Sequence, residues 1–260
     1  MKIIALAKQV PDTKDQTFQQ NFHVLREGLD LICNPSDEYA IEEAVRLKER
    51  LTGEVVVISM GKPTALNLLR FSVSVGADRG ILLSDPSFAG SDLLGTAFIL
   101  SRAIEKNSPF DLIISGKQSS DGENGIISSA IAECLKLPFV MDVRKVIEIK
   151  EGVLRLEQMV IGGYYEIEVQ LPALISVVKE INEPRLPSLK GKMAAKNVPI
   201  PIWGLKELEL EVSLIGDQGA QTQVCAVQDP PKKEGVKIFS GRAEEAAAEL
   251  VNELLKKKLI

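Results

Sequence analysis

The sequence predicts an α/β protein whose central sheet is mostly parallel, and three observations support this prediction. Over residues 1–140, short apolar runs typical of buried parallel strands alternate with amphipathic helical segments. The connections between them are short, which favours right-handed crossovers. After Pro138, strand-like segments are separated by turns at Glu151-Gly152 and Gly162-Gly163. We therefore expect a Rossmann-like parallel sheet with helices on both faces and an antiparallel hairpin excursion.

The elements of the first half are predicted from apolar runs, helix caps and glycine stops. Pro35 followed by Ser36 and Asp37 marks the start of a helix that Gly53 ends. Ser91-Asp92 caps a later helix in the same way. Strands are expected at residues 3–7, 55–60, 80–83 and 112–115, and helices at residues 36–52, 63–75, 93–107 and 124–135.

The second half ends in a predicted loop, a linker and a helix. Strands are expected at residues 143–149, 153–160, 164–170 and 174–178, after which residues 182–201 carry four prolines and show no period, which predicts a long loop. Residues 218–235 are linker-like, and residues 243–259 form one amphipathic helix. We divide the chain into an α/β domain, residues 1–217, and a linker with a C-terminal helical arm, residues 218–260.

Composition and charge exclude several classes of function. With 31 basic and 36 acidic side chains, the net charge of −5 argues against nucleic-acid binding. The three cysteines are far apart and the single histidine, His23, has no metal-binding partner in the sequence, so no metal site is expected. No run is long enough for a membrane span, and the N-terminal apolar run is too short for a signal peptide. We expect a soluble cytoplasmic protein.

The segment from Ser115 to Gly125 is the main candidate for ligand binding. It follows a predicted strand, opens a helix, and contains three glycines and three serines, so its backbone can approach an anion closely. It matches neither GxxxxGK[ST] nor GxGxxG, and a plain polar loop remains the alternative. Lys8, after the first strand, is expected to meet a phosphate or to pair with Asp12. Asn34 is expected to cap the helix that follows it.

No catalytic side chains can be grouped from the sequence, and two segments have two interpretations each. Since no general base is evident, any chemistry is assigned to a cofactor rather than to catalytic residues. The loop at residues 182–198 carries four cations and only Glu183, so it either docks on a partner or is a solvated loop. The apolar stripe of the last helix is buried either on its own domain or on another chain.

Short segments in a fixed order along residues 2–259 resemble those of one known family. They are Lys8-Gln9-Val10-Pro11-Asp12, Asn34-Pro35, Glu42-Glu43-Ala44-Val45-Arg46-Leu47-Lys48, Gly76-Ala77-Asp78, Gly116-Lys117-Gln118, Asp121-Gly122, Asn182-Glu183-Pro184-Arg185 and Leu189-Lys190-Gly191-Lys192-Met193. Their order and spacing together resemble the beta subunit of electron-transfer flavoproteins.

The resemblance implies a heterodimer in which the C-terminal arm packs on an alpha subunit. The alpha subunit holds the main FAD, and the beta subunit binds AMP or, in the electron-bifurcating branch, a second FAD together with NAD(H). Residues 182–198 correspond to the family's recognition loop, and Leu189 would insert into a pocket on an acyl-CoA dehydrogenase or similar flavoenzyme. The residues implied in partner docking are Arg185, Leu189, Lys190, Lys192 and Met193.

The resemblance also implies a nucleotide site. Asn34 would bind the adenine or ribose edge, Asp121 would hold a ribose or order the loop, and the amides of residues 125–129 would receive phosphate. The cofactor-binding residues carried over by position are Leu6, Ala7, Asn34, Pro35, Ser36, Asp37, Met60, Ser119, Ser120, Asp121, Gly122, Glu123, Asn124, Gly125, Ile126, Ile127, Ser128 and Ser129.

Three functions follow from the resemblance and its departures. The segments at residues 8–12, 84–92 and 121–122 resemble the bifurcating branch, in which NADH reduces a beta-bound FAD that sends electrons to the alpha-subunit FAD and to ferredoxin or flavodoxin. That activity is expected only with the alpha subunit and the partner. The alternative is a non-bifurcating carrier with structural AMP, and the third is a nucleotide-binding stress-type module, which needs no recognition loop. Ile126 and Ser128 depart from both branches, where glutamine and glycine are usual, and Leu93 replaces a threonine common in the bifurcating pattern.

Overall fold

A nine-stranded mixed sheet forms the centre of the computed structural model, which describes residues 1–12, 28–228, 235 and 237–260. The chain divides into two compact units, Met1–Cys225 and Ala226–Ile260. The strands are β1 (Lys2–Leu6), β2 (Gln9–Pro11), β3 (Leu31–Cys33), β4 (Glu54–Met60), β5 (Arg79–Leu83), β6 (Leu112–Gly116), β7 (Phe139–Lys150), β8 (Val153–Val160), β9 (Gly163–Gln170), β10 (Ala173–Val177) and β11 (Ile202–Trp203).

The order of the strands confirms the predicted architecture. The sheet runs β11-β5-β4-β1-β6-β10-β7-β8-β9, with parallel pairing from β11 to β7 and antiparallel pairing in β7-β8-β9. Since β1 lies between β4 and β6, the chain order reverses at β1. The helices are α1 (Pro35–Leu51), α2 (Leu66–Ser74), α3 (Leu93–Glu105), α4 (Ile127–Leu135), α5 (Leu189–Asn197), α6 (Leu205–Leu208), α7 (Gly216–Gly219) and α8 (Ala243–Lys256).

Helices cover both faces of the sheet, because successive side chains of a buried strand point to opposite sides. Ile3 of β1 packs in an apolar cluster with α1 and α2, whereas the neighbouring Ile4 packs with α3 and α4. All four of these helices follow the predicted boundaries to within a few residues, and Asp92 caps α3 by accepting a hydrogen bond from the Gly95 amide. Two apolar layers therefore hold the parallel part of the sheet rigid.

Several features were not predicted, among them α5, the pair β2–β3 and the strand β11. The prediction of a continuous loop over residues 182–201 was wrong, since α5 lies within it and packs against α2. Its only described buried side chain is Ala195, so the segment lacks the apolar period that marks a helix. The small antiparallel pair β2–β3 and the two-residue edge strand β11 are too short to leave a pattern. His23, expected in a loop, lies outside the described residues.

The start of the predicted linker is held to the first unit. The Asp92 carboxylate accepts hydrogen bonds from the backbone amides of Gln221 and Thr222, at 2.9 and 3.0 Å. In the second unit, α8 is helical as predicted, and none of its described side chains is buried. Among the helices that the structure describes, none is long and apolar enough to cross a membrane.

Candidate functional site

The reversal of strand order at β1 makes the region outside the carboxyl ends of β1 and β6, here called the crevice, the switch point of the sheet. Ligands of open α/β sheets bind at such switch points, outside the carboxyl ends of the strands. Leu6 and Ala7 leave β1 here, each 7% exposed, and the loop after Gly116 leaves β6. Met60, at the end of the neighbouring β4, is half-buried on the same edge. The structure therefore gathers the sequence-predicted nucleotide residues at one edge of the sheet.

Asn34 organises the loop that lines this crevice. Its side chain is only 1% exposed, donates to the Gln118 carbonyl oxygen at 2.9 Å and accepts from the Ser120 amide at 3.0 Å. It makes no capping bond to α1, so the predicted capping role is wrong. In the structure its side chain positions the loop at residues 118–120. The sequence concealed this role, because the partners lie more than eighty residues away.

Asp37 joins the ends of the two switch-point strands. Its buried carboxylate accepts a hydrogen bond from the Lys8 amide at 2.8 Å and another from the Gly116 amide. Burial raises the pKa of Asp37 to about 7, against the opposing effect of these donors. Asp37 thus holds the ends of β1 and β6 together from a buried position.

Gly116 allows α1 to approach β6 closely enough for that contact. A Cβ at this position would lie 2.6 Å from the Ser36 carbonyl carbon and would overlap the Asp37 carboxylate. Only glycine leaves room for this approach of one backbone to another. The Gly116-Lys117-Gln118 segment is therefore explained in part by packing rather than by ligand contact.

Lys8 and Asp121 connect the two sides of the crevice. The Lys8 Nζ lies 2.5 Å from Asp121 Oδ1 and 3.4 Å from Ser119 Oγ. The predicted partner of Lys8, Asp12, instead donates its backbone amide to the Asp30 carbonyl oxygen. Asp121 therefore ties the loop after β6 to the segment after β1.

The start of α4 has the properties of an anion site. No described side chain caps this helix, and the first amides of a helix have no intrahelical partner. Gly125, just before it, has a φ of +65°, a conformation that favours glycine. Ser128 is 1% exposed, and its Oγ lies 2.6 Å from Ser115 Oγ, so this departure from the family pattern faces the sheet. Ile126, by contrast, is 51% exposed.

The remaining predicted nucleotide residues surround these groups. Pro35 and Ser36 begin α1 beside the Lys8 segment, with Pro35 exposed and Ser36 half-buried. Gly122, Glu123 and Asn124 form the exposed tip of the β6–α4 loop. Ile127 and Ser129 lie in the first turn of α4, where Ser129 Oγ donates to the Ile126 carbonyl oxygen at 2.8 Å.

The segment at residues 182–185 is fastened to α1. The Arg185 guanidinium lies 2.8 Å from a Glu42 carboxylate oxygen and 2.6 Å from one of Glu49. Asn182 donates to Glu43 Oε2 at 3.1 Å. Burial raises the pKa of Glu42, but hydrogen bonds from Arg185 and Arg46 outweigh it and lower that pKa overall. Arg185 therefore anchors the base of the loop at residues 182–198 to α1.

Beyond Arg185, α5 and the residues just before it present apolar side chains to solvent. Ser188 caps the helix by accepting a hydrogen bond from the Gly191 amide at 3.0 Å. Leu186, Leu189 and Met193 are 90%, 78% and 62% exposed. Lys190 and Lys192 are also exposed on α5. The predicted docking residues other than Arg185 thus form an outward surface on one short helix.

An Arg185→Ala variant is expected to lower the free energy of unfolding by about 2 kcal/mol, because the nearly buried Glu42 loses its principal cation. The pKa of Glu42 is lowered in the fold, so this stabilisation is full above the unfolded value of about 4.3 and is lost as pH falls below it. Urea unfolding at pH 7 and pH 3.5 measures both effects. Lys190→Ala is the control, and an equal loss in both variants would contradict the anchor.

Together, the strand order and the helices on both faces of the sheet define a doubly wound α/β protein. A family model described as "Electron transfer flavoprotein domain" matches residues 21–208. The chain belongs to the electron transfer flavoprotein family, among its beta subunits. Membership of the beta subunits implies an alpha subunit as partner.

Three relatives illustrate the similarity. The electron transfer flavoprotein subunit beta of Thermoanaerobacterium thermosaccharolyticum is 40% identical, and the alignment covers 100% of both chains. The caffeyl-CoA reductase-Etf complex subunit CarD of Acetobacterium woodii is 38% identical, again over 100% of both chains. The electron transfer flavoprotein subunit beta of Clostridium acetobutylicum is 33% identical over 98% of each chain.

Proposed function

We propose that this beta subunit acts in flavin-based electron bifurcation, with NADH as the donor and a second FAD in the switch-point crevice. The observation that carries this proposal is the ion pair between Lys8 and Asp121. It links two of the segments whose residues resemble the bifurcating branch and joins them across the crevice. The similarity to a subunit of a caffeyl-CoA reductase-Etf complex is in keeping with this proposal.

The crevice has features that suit a nucleotide phosphate. The uncapped first turn of α4 offers amides at residues 127–129, and Gly125 lets the backbone approach a ligand. A Cβ on Gly122 would meet only Ser119 Oγ, at 3.4 Å, so the loop tip is not closed by packing. When bound, FAD would supply hydride acceptance and one-electron transfer.

In this proposal the chain's own residues bind and orient the nucleotide, and we assign none of them a catalytic role. Asn34 holds the loop at residues 118–120, and Asp37 holds the ends of β1 and β6 at a fixed separation. Lys8 and Asp121 compensate each other's charge at the mouth. Preorganisation of this kind reduces the cost of ordering a ligand-binding loop on association.

The docking surfaces complete the proposal. Leu189 is the anchor for an acyl-CoA dehydrogenase or similar flavoenzyme, and its 78% exposure supports this role. The arm at residues 218–260 packs on the alpha subunit through the apolar stripe of α8, where Leu250, Val251 and Leu255 are 44–54% exposed. Ferredoxin or flavodoxin receives the low-potential electron, and the complex works in the cytoplasm.

The nucleotide content of the purified alpha–beta heterodimer tests the proposal. The protein is denatured and the released nucleotides are separated and quantified. Two FAD per heterodimer without AMP would support bifurcation. One FAD with one AMP would contradict it and would make the chain the subunit of a non-bifurcating carrier, because the amides of α4 also suit the single phosphate of AMP.

An Asn34→Ala variant is expected to release the crevice loop, because two hydrogen bonds that hold it are removed. Leaving the Gln118 and Ser120 backbone groups unpaired costs about 1–3 kcal/mol, which predicts at least about fivefold weaker nucleotide retention. Nucleotide per heterodimer after gel filtration is the measurement. Asn124→Ala is the matched control at the exposed tip of the same loop, and equal retention in the two variants would refute the positioning role.

A further inference from the structure

A groove of about 530 Å³ lies between α2 and α5, away from the switch-point crevice. Apolar atoms dominate its surface, and cationic side chains lie along it. The lining residues that bear on its chemistry are Arg70, Phe71, Pro187, Lys192, Ala195 and Lys196.

Close backbone contacts build this groove. A Cβ on Gly191 would overlap the Ser74 carbonyl oxygen, so α5 approaches the end of α2 as closely as a glycine permits. The Arg70 guanidinium donates to the carbonyl oxygens of Ala195 and Val198, which ties the end of α5 to α2. The groove is therefore set by packing between two helices rather than by the chance position of a loop.

The charge of the groove has one sign. Arg70, Lys192 and Lys196 are its charged residues, and none of the described lining residues is acidic. The chain as a whole carries a net charge of −5, so this cluster is a local reversal of the overall charge. An apolar floor with a cationic rim is complementary to a segment that carries an apolar side chain among carboxylates.

The groove is adjacent to the exposed apolar side of α5. At about 100° per residue, Lys192 and Lys196 share one helix face, next to the face that carries Leu189 and Met193. Lys190 projects on the far side of that apolar face and does not line the groove. A protein that receives Leu189 in a pocket would therefore also contact the groove, through the part of its surface beside that pocket.

We propose that the groove between α2 and α5 binds an acidic segment of the protein that docks on Leu189. The inference rests on the proposed function, since it takes that docking protein as its partner. It divides the cations by role: Lys192 and Lys196 recognise carboxylates, Arg70 ties the end of α5 to α2, and Arg185 anchors the loop to α1. Specificity for the partner then comes from two neighbouring surfaces, one apolar and one cationic.

The test uses the alpha–beta heterodimer and a labelled peptide probe with four glutamates around one phenylalanine. Its binding is measured by fluorescence anisotropy at low and high salt, beside an analogue with glutamines. We expect the glutamate peptide to bind at least about tenfold more tightly than the analogue, with the difference reduced by salt. The double variant Lys192→Glu, Lys196→Glu should remove that preference, whereas the control Lys190→Glu should retain it.

Three results would overturn the proposal. They are no preference for the glutamate peptide, an equal loss in the Lys190→Glu control, and displacement of the peptide by inorganic phosphate or AMP at equal concentration, which would assign the groove to a small anion. The FAD and AMP content of the same samples is quantified in parallel. That content does not depend on the groove. The nucleotide measurement therefore tests the bifurcation proposal, and the peptide measurement tests the groove proposal independently.

Discussion

A Gly116→Ala variant is expected to lose about 3 kcal/mol of folding free energy and most of its bound nucleotide. The added Cβ would lie 2.6 Å from the Ser36 carbonyl carbon and would overlap the Asp37 carboxylate, so the start of α1 must move away from β6. Overpacking of this kind costs about 1–3 kcal/mol. The loss of hydrogen bonds from the Lys8 and Gly116 amides to a buried carboxylate adds to that cost.

The matched control for this variant is Gly122→Ala in the same loop. A Cβ there would meet Ser119 Oγ at 3.4 Å, which is an ordinary contact, so the change in stability should stay within about 0.5 kcal/mol. Urea unfolding and nucleotide content are measured for both variants. If Gly116→Ala were as stable as Gly122→Ala and retained as much nucleotide, the close approach of α1 to β6 would not support the site.

A Leu189→Ala variant is expected to transfer electrons to an acyl-CoA dehydrogenase with an apparent affinity lower by about 30-fold. An apolar side chain that is exposed alone and buried in a partner's pocket is a typical hot spot, and its truncation costs about 2 kcal/mol. The nucleotide content and the unfolding midpoint should remain those of the wild type, because Leu189 is 78% exposed in the chain. Steady-state transfer measured against the concentration of the dehydrogenase provides the test.

Leu186→Ala is the matched control for the anchor. Leu186 lies in the same loop, is the same type of residue and is 90% exposed, but it does not occupy the position of the family's leucine. Its truncation should change the apparent affinity for the dehydrogenase by less than about threefold. Equal effects of the two substitutions would indicate general apolar contact. An unchanged rate of electron transfer in Leu189→Ala would contradict the anchor role of Leu189.

Local patterns predicted most of the fold. The strands that became β1, β4, β5 and β6 are apolar runs that parallel sheets bury on both faces, so their sequence alone identifies them. Asp92 was predicted as a cap because its bond to the Gly95 amide spans three residues. α5 escaped prediction because it is stabilised by packing on α2, through Gly191 and Arg70, and not by an apolar period of its own.

The sequence by itself determined the fold class, the family resemblance and the candidate ligand loop at residues 115–125, because each depends on residue types at short spacing. Only the tertiary structure decided what the side chains around that loop do. Asn34 holds the loop at residues 118–120, Asp37 joins the ends of β1 and β6, and Arg185 anchors its loop to α1. Their partners lie far away along the chain, and burial, which converts a potential ligand contact into a structural one, depends on the assembled fold.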